Sequence, residues 1–148
     1  MNQLTVNNCP FCKMVRHELS PVVVQEDNDI LAVMDLYPAA PGHILVLPKE
    51  HFETIYTMPV EIGARIMTNA ISIAKVLKQR LSPDGLNLIQ SNEVMAGQTV
   101  SHFHLHIVPR YKNDAIMLFF GHGTIPEKVV ELERIASLLR SGLRQERG

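Results

Sequence analysis

The chain has 148 residues, 46% hydrophobic and 20% charged, with a formal net charge of −1, which fits one globular domain able to bury its own core without disulfides. No basic block of five or more residues occurs, which argues against a dedicated nucleic-acid binder while leaving a single nucleotide open as ligand. No apolar stretch approaches 18 residues and residues 1–8 lack the pattern of a signal peptide, so a cytoplasmic protein without a membrane span is expected.

In chain order, Cys9 and Cys12 come first, at Cys-x-x-Cys spacing. In a reducing compartment such a pair suggests metal binding or redox chemistry before a structural disulfide. Residues 22–25 and 30–35 read as two strands joined by the turn-forming Glu26, Asp27, Asn28 and Asp29. Pro38 to Gly42 is a break, and residues 43–47 form a third strand that Pro48 ends. Ile62, Ile66, Ile73 and Leu77 then recur at helical spacing, with Met67, Ala70, Ile71, Ala74 and Leu81 widening the stripe. The spacing predicts a helix over 59–81, with Pro59 in its first turn and Pro83, Asp84 and Gly85 stopping it.

Residues 86–90 make a fourth strand, and a glycine-containing connection over 92–99 leads into a fifth. Adjacent strands joined by so short a loop pair antiparallel. Residues 111–123 show no period, after which Thr124 to Glu127 matches a capping box opening a helix, with Val130, Ile135, Leu138 and Leu139 on its apolar side. The expectation is a single α+β domain over 1–148. It has a five-stranded, mainly antiparallel sheet, a long helix between strands three and four, and a C-terminal helix. Residues 1–20 form a Cys-x-x-Cys knuckle and residues 111–148 a C-terminal extension.

The fifth strand carries the chemistry. In the run His102, Phe103, His104, Leu105, His106, Ile107, Val108, the two-residue period of a strand puts the three histidines on one face, about 7 Å apart, and turns Phe103, Leu105 and Ile107 to the core. Burying imidazoles without partners is costly, so the face reads as a lined site. Two chemistries use it. Histidines two apart on a strand can ligate zinc with an open position for water. Alternatively, a neutral imidazole, with an unperturbed pKa of about 6.5, can attack an electrophile and form a covalent intermediate. Gly97, Gln98 and Thr99 immediately precede the run, and a loop of that composition suits a phosphate better than a bare metal.

Residues 97–110 resemble the signature of the histidine triad (HIT) proteins, His-φ-His-φ-His-φ-φ with φ apolar, and match it at every position. Residues 41–51 resemble a second block of that family, and Asp35 stands where the family presents an acidic or amide side chain. The resemblance covers roughly residues 9–110, and the segment Phe120, Gly121, His122, Gly123, Thr124 is similar to bacterial and archaeal hydrolase-type members. It implies a HIT-like fold, a homodimer, and a hydrolase or transferase acting at the α-phosphorus of a purine nucleotide. The substrate would be a dinucleoside polyphosphate or a nucleoside phosphoramidate, and the product a nucleoside monophosphate. By the same resemblance His104 is the nucleophile, its other ring nitrogen holding a proton against a backbone carbonyl. His106 binds the phosphate oxygens and the bridging atom, and His43 supports the triad from behind. Gln98 and Thr99, with Asn92, stabilise the transferring phosphoryl group, and Asp35 accepts from the ribose hydroxyls.

Cys9-Pro10-Phe11-Cys12 also resembles the redox motif of glutaredoxins, in which a depressed thiol pKa makes the first cysteine reactive. That motif follows a first strand in a βαβ unit, and here almost no chain precedes it. The HIT resemblance implies instead a closed, structural zinc site of Cys9, Cys12, His51 and His102, with no organic cofactor. His17 and His122 fit no constellation and read as surface or loop residues, His122 near the substrate entrance; Arg110, Tyr111 and Lys112 read as a solvated loop. Two other functions fit the sequence: a nucleotide-binding interaction module with little turnover, and a zinc or redox protein using Cys9 and Cys12.

Overall fold

The computed structural model describes residues 3–116 and 125–147. Helices α1 (Gln3–Asn8) and α2 (Pro10–Val15) lead into strands β1 (Val23–Glu26), β2 (Ile30–Met34) and β3 (Ile44–Pro48). The long helix α3 (Val60–Leu81) follows, then β4 (Gly85–Ile89), a 3-10 turn at Val94–Ala96, β5 (Leu105–Arg110) and α4 (Val129–Glu146). The strands form one sheet in the order β1-β2-β3-β5-β4, with every neighbouring pair antiparallel. Among the described residues no helix is long and apolar enough to cross a membrane.

Local chemistry sets the element ends. Asp27 Oδ1 accepts from the backbone N–H groups of Asp29 and Ile30, at 2.8 Å each, an Asx turn that closes the β1–β2 hairpin. Helix α3 starts after Pro59, which needs no N–H partner, and stops where Ser82 turns left-handed at φ 49.

Strand alternation divides the sheet into two apolar faces. Ile30, Ala32 and Met34 of β2 and Ile44 and Val46 of β3 meet α3 and α4 in the main core, with Leu105 and Ile107 of β5. Leu31, Val33, Leu45 and Leu47 point the other way, onto Cys9, Phe11 and Cys12. Leu45 pairs in register with His106, so His106 shares the cysteine-bearing face. That division of faces positions the site.

Several expected details differ. Strand β5 begins at Leu105, so His102 and His104 precede it rather than lying within it. Helix α4 opens after Lys128, which makes no side-chain capping bond. The expected capping box at Thr124 to Glu127 therefore does not start the helix, and Thr124 itself lies outside the described residues. Val130 is exposed and Leu138 partly so, while Leu132, Ile135, Ala136, Leu139 and Leu143 are buried. On α3 the buried row is Ile66, Asn69, Ala70, Ile73, Val76 and Leu77, leaving Met67 and Ile71 about half exposed. A helix lying on a sheet buries only one stripe. Arg110 is the last residue of β5 rather than part of a solvated loop, and it grips Asp114 through two nitrogens at 2.6 and 2.9 Å and reaches Asn87 Oδ1 at 3.0 Å, while Lys112 beyond it is exposed as expected. That guanidinium holds the Asp114 carboxyl far below the usual carboxylate range.

Helix α4 crosses α3 at Gly142, where an added Cβ would collide with Val76 Cγ1 and come within 3.2 Å of Arg80 Nε. Overpacking such a crossing costs roughly 1–3 kcal/mol. Gly142→Val should therefore lower the urea midpoint by a corresponding amount; an unchanged midpoint would mean that the two helices do not pack at this residue.

Candidate active site

His104 and His106 are both buried, with ring centroids 4.9 Å apart. Their backbone and side-chain partners give them opposite tautomers. The carbonyl of His102 lies 2.8 Å from Nδ1 of His104; a carbonyl only accepts, so the proton sits on Nδ1 and the lone pair on Nε2. For His106 the assignment starts two partners back. The backbone N–H of Ala39 donates to His43 Nδ1 at 3.0 Å, which leaves the proton of His43 on Nε2. That Nε2–H lies 2.9 Å from His106 Nδ1 and 3.4 Å from Asp35 Oδ2, so His106 accepts at Nδ1 and carries its own proton on Nε2. The pair thus offers one nucleophilic nitrogen and one N–H donor.

Both rings line a cavity of about 440 Å³ between α2, the end of β2 and the start of α4. Its walls are chiefly apolar, among them Phe11, Met14, Leu19, Val33 and Leu36. His104, His106, Asp35 and Thr99 also line it. An apolar cleft with a few convergent polar groups is the usual form of a small-molecule site.

The remaining expected substrate ligands divide. Thr99 and Asp35 reach the cavity, although Asp35 also accepts from the backbone of Tyr37 at 2.8 Å. Gln98 and Asn92 are not among its lining residues, because their side chains are spent on the loop. Gln98 donates to the carbonyls of Glu53 and Val100 at 2.6 and 3.0 Å and accepts from the N–H of Glu93. Asn92 Oδ1 accepts from the N–H of Ile55 at 2.7 Å. These bonds hold a turn that needs positive φ at Glu93 (68°) and Gly97 (89°), the second suiting glycine.

His102 turns away from the cavity. Its Nε2–H donates to the Pro48 carbonyl at 2.8 Å, which directs the Nδ1 lone pair at Cys9 Sγ (3.4 Å) and Cys12 Sγ (3.6 Å). His51 Nδ1 lies 3.2 Å from Cys12 Sγ. One ligand atom from each of these four buried residues lies within 4.8 Å of the others. A tetrahedral zinc with ordinary Zn–S and Zn–N bonds has sulfur-to-nitrogen edges of about 3.5 Å, so the donor set fits that ion. Burial pushes the Cys12 thiol up to about 12, helped by the neighbouring Cys9. A bound cation would deprotonate it. His51 Nε2 is buried without a hydrogen-bond partner among the described residues.

His17 is exposed, at φ 60, and takes no part in the site; His122 lies outside the described residues. Sequence reasoning missed the backbone partners, namely Ala39 N–H and the Pro48 carbonyl, which no residue type advertises. It also left Phe11 unremarked, although Phe11 sits between two singled-out cysteines.

A family model described as HIT domain matches residues 16–113. The chain is 30% identical over 139 residues to the adenylylsulfatase HINT3 of Arabidopsis thaliana, covering 94% of this chain and 69% of that protein. It is 34% identical over 102 residues to the adenosine 5′-monophosphoramidase HNT1 of Saccharomyces cerevisiae, covering 69% and 62%. A zinc-bound histidine triad family protein from Mycobacterium smegmatis superposes with a TM-score of 0.82 at 31% identity, covering 96% and 97%.

The cluster of Cys9, Cys12, His51 and His102 makes stability pH-dependent in the metal-free chain. Burial takes the His102 imidazole down to about 4, whereas unfolded histidine binds its proton near 6.5. Between those values the unfolded state holds more protons, so this contribution is complete above about pH 6.5 and is lost as pH falls towards 4, roughly 3 kcal/mol in all. The urea midpoint of chelator-treated protein should drop between pH 7 and pH 4.5, and less steeply in His102→Gln. Parallel pH profiles for the two proteins would contradict this.

Proposed function

The chain belongs to the HIT family, and on that premise we propose that it is a nucleotide hydrolase that attacks an α-phosphorus through His104. The observation that carries this reading is the pair of opposite tautomers at one cavity: a lone pair on His104 Nε2 beside an N–H on His106 Nε2. Two similar proteins bear names that specify an adenylyl group joined to sulfate or to an amine. This supports an adenosine 5′-phosphoryl group with a variable leaving group as the substrate class, a nucleoside phosphoramidate or a dinucleoside polyphosphate included.

In the proposed reaction the Nε2–P bond to His104 forms as the bond from phosphorus to the leaving group breaks, while His106 Nε2–H hydrogen-bonds the bridging atom. Water then cleaves the phosphorus–histidine bond, releasing the nucleoside monophosphate and restoring the imidazole. Asp35 accepts from the ribose, and Thr99 stabilises the phosphoryl oxygens. Gln98 and Asn92 can join Thr99 only by exchanging their present loop bonds, so their first contribution is to shape the phosphate loop. Cys9, Cys12, His51 and His102 would hold a structural zinc, whose four protein ligands leave no position for substrate. The reading further takes residues 1–148 as one HIT domain, working in the cytoplasm as a homodimer, a state suggested by the family resemblance.

Wild-type protein mixed with adenosine 5′-phosphoramidate or diadenosine polyphosphate should release AMP, and His104→Ala should lower kcat on the order of 10³-fold or more. Equal rates would remove His104 as nucleophile, and no turnover of either substrate would favour a nucleotide-binding module. Elemental analysis should find about one zinc per chain, reduced in Cys9→Ser; zinc-free, normally folded protein would remove the metal.

A further inference from the structure

The nucleotide cavity has a neighbour on the same face of the sheet. A second cavity, of about 230 Å³, lies under the link from α2 to β1, with Val23, Glu26 and Leu31 in its walls. Met14, Leu19, Ser20 and Pro21 line both cavities and so form the partition between them. Alternation along β2 gives the direction from one to the other. Leu31, Val33 and Asp35 follow at two-residue steps; Leu31 lines the second cavity, Val33 and Asp35 the first. The second cavity therefore continues the first along β2, away from Asp35.

The partition is built from side chains that can give way. The backbone of the link is fixed to α2, since the N–H groups of Glu18 and Leu19 donate to the Lys13 carbonyl at 2.9 and 3.3 Å. Met14 is half-buried and Leu19 is 43% exposed, and an unbranched thioether refills irregular gaps readily. Behind them the second cavity is apolar, where Met14, Val23 and Leu31 join one cluster. Its carboxylate, Glu26, is engaged with Lys49 Nζ at 2.7 Å. At about 230 Å³ the space is below the roughly 300 Å³ at which small-molecule sites begin, whereas as an annex to a cavity of about 440 Å³ it extends a site of ordinary size.

We propose that the second cavity is an annex of the nucleotide site and takes an apolar substituent carried by the base, such as an alkyl or benzyl group on the exocyclic nitrogen of adenine. The inference rests on the nucleotide-hydrolase reading and names a substrate class for it: purine nucleotides enlarged by an apolar group. With phosphorus at His104 and ribose at Asp35, the apolar length of the first cavity is left to the base. The exocyclic nitrogen of adenine is on the ring remote from the sugar, so a group attached there leads away from Asp35, towards Met14 and Leu19. Displacing Met14 opens the way to Val23 and Leu31. The extra apolar burial then strengthens binding of the enlarged base.

The test titrates the full chain calorimetrically with AMP and with benzyl-AMP, which carries its benzyl group on the exocyclic nitrogen. A buried methylene is worth about fourfold in affinity, so benzyl-AMP should bind the wild type about tenfold or more tighter than AMP. In Val23→Phe, whose larger ring would occupy the annex, that advantage should vanish while AMP affinity holds. Methyl NMR of the wild type gives a readout that needs no variant: the Val23 and Leu31 methyl signals should move with benzyl-AMP and stay in place with AMP. Equal or weaker binding of benzyl-AMP, an advantage that persists in folded Val23→Phe, or unmoved methyl signals would overturn the annex. If Val23→Phe does not fold, the methyl signals decide. If neither compound binds, the nucleotide reading falls and takes the annex with it; AMP binding without a benzyl advantage sinks the annex alone.

Discussion

The rest of the site depends on the 2.8 Å hydrogen bond from His104 Nδ1–H to the His102 carbonyl. An imidazole can attack only through a nitrogen without a proton, and in the neutral ring one acceptor beside Nδ1 decides which nitrogen that is. The mirror-image constraint acts on His106, where Ala39 N–H and then His43 Nε2–H fix an acceptor at Nδ1 and a donor at Nε2. Two histidines two residues apart thus differ in chemistry because of what lies behind them. His102 differs more, since its ring is turned to the cysteines and only its carbonyl serves the cavity.

The sheet makes this separation possible. Helices α3 and α4 cover one face completely enough to leave Ile73, Leu77 and Leu139 without measurable exposure. Among the described residues the other face is covered by the short knuckle around α2, with the cavity of about 440 Å³ beside it. Leu45 in register with His106 ties the ring to that open face, and Phe11 closes the gap between knuckle and histidines. A zinc-bound histidine triad family protein shares this architecture across nearly the whole chain. A small domain gains by stapling so thin a layer with a metal.

Much of this was legible in the amino-acid order. Apolar runs between turn residues marked four strands and alternation the fifth, helical spacing placed α3 to within one residue at its start, and the run from His102 to Val108 located the chemistry. The strict alternation of that run also misled, because it suggested a strand through all three histidines. In the structure the chain enters the sheet only at Leu105, after His102 has been turned to the cysteine corner. Helix faces were over-read at Met67, Ile71, Val130 and Leu138, because a periodic stripe in sequence is wider than the line a helix buries on a sheet. The roles of Gln98 and Asn92 in bracing the loop could not be read either, since amide side chains bond backbone or ligand equally well and only the loop's path decides.

The central claim is that His104 itself becomes covalently bound to the nucleotide. The most direct measurement is mass spectrometry of protein quenched in acid-avoiding conditions during the first turnover with an adenylyl substrate. Peptide mapping should then find one adenylyl group on His104, and none on that peptide in His104→Ala. AMP formed in the first turnover with no adduct, or with the adduct on another residue, would contradict the account.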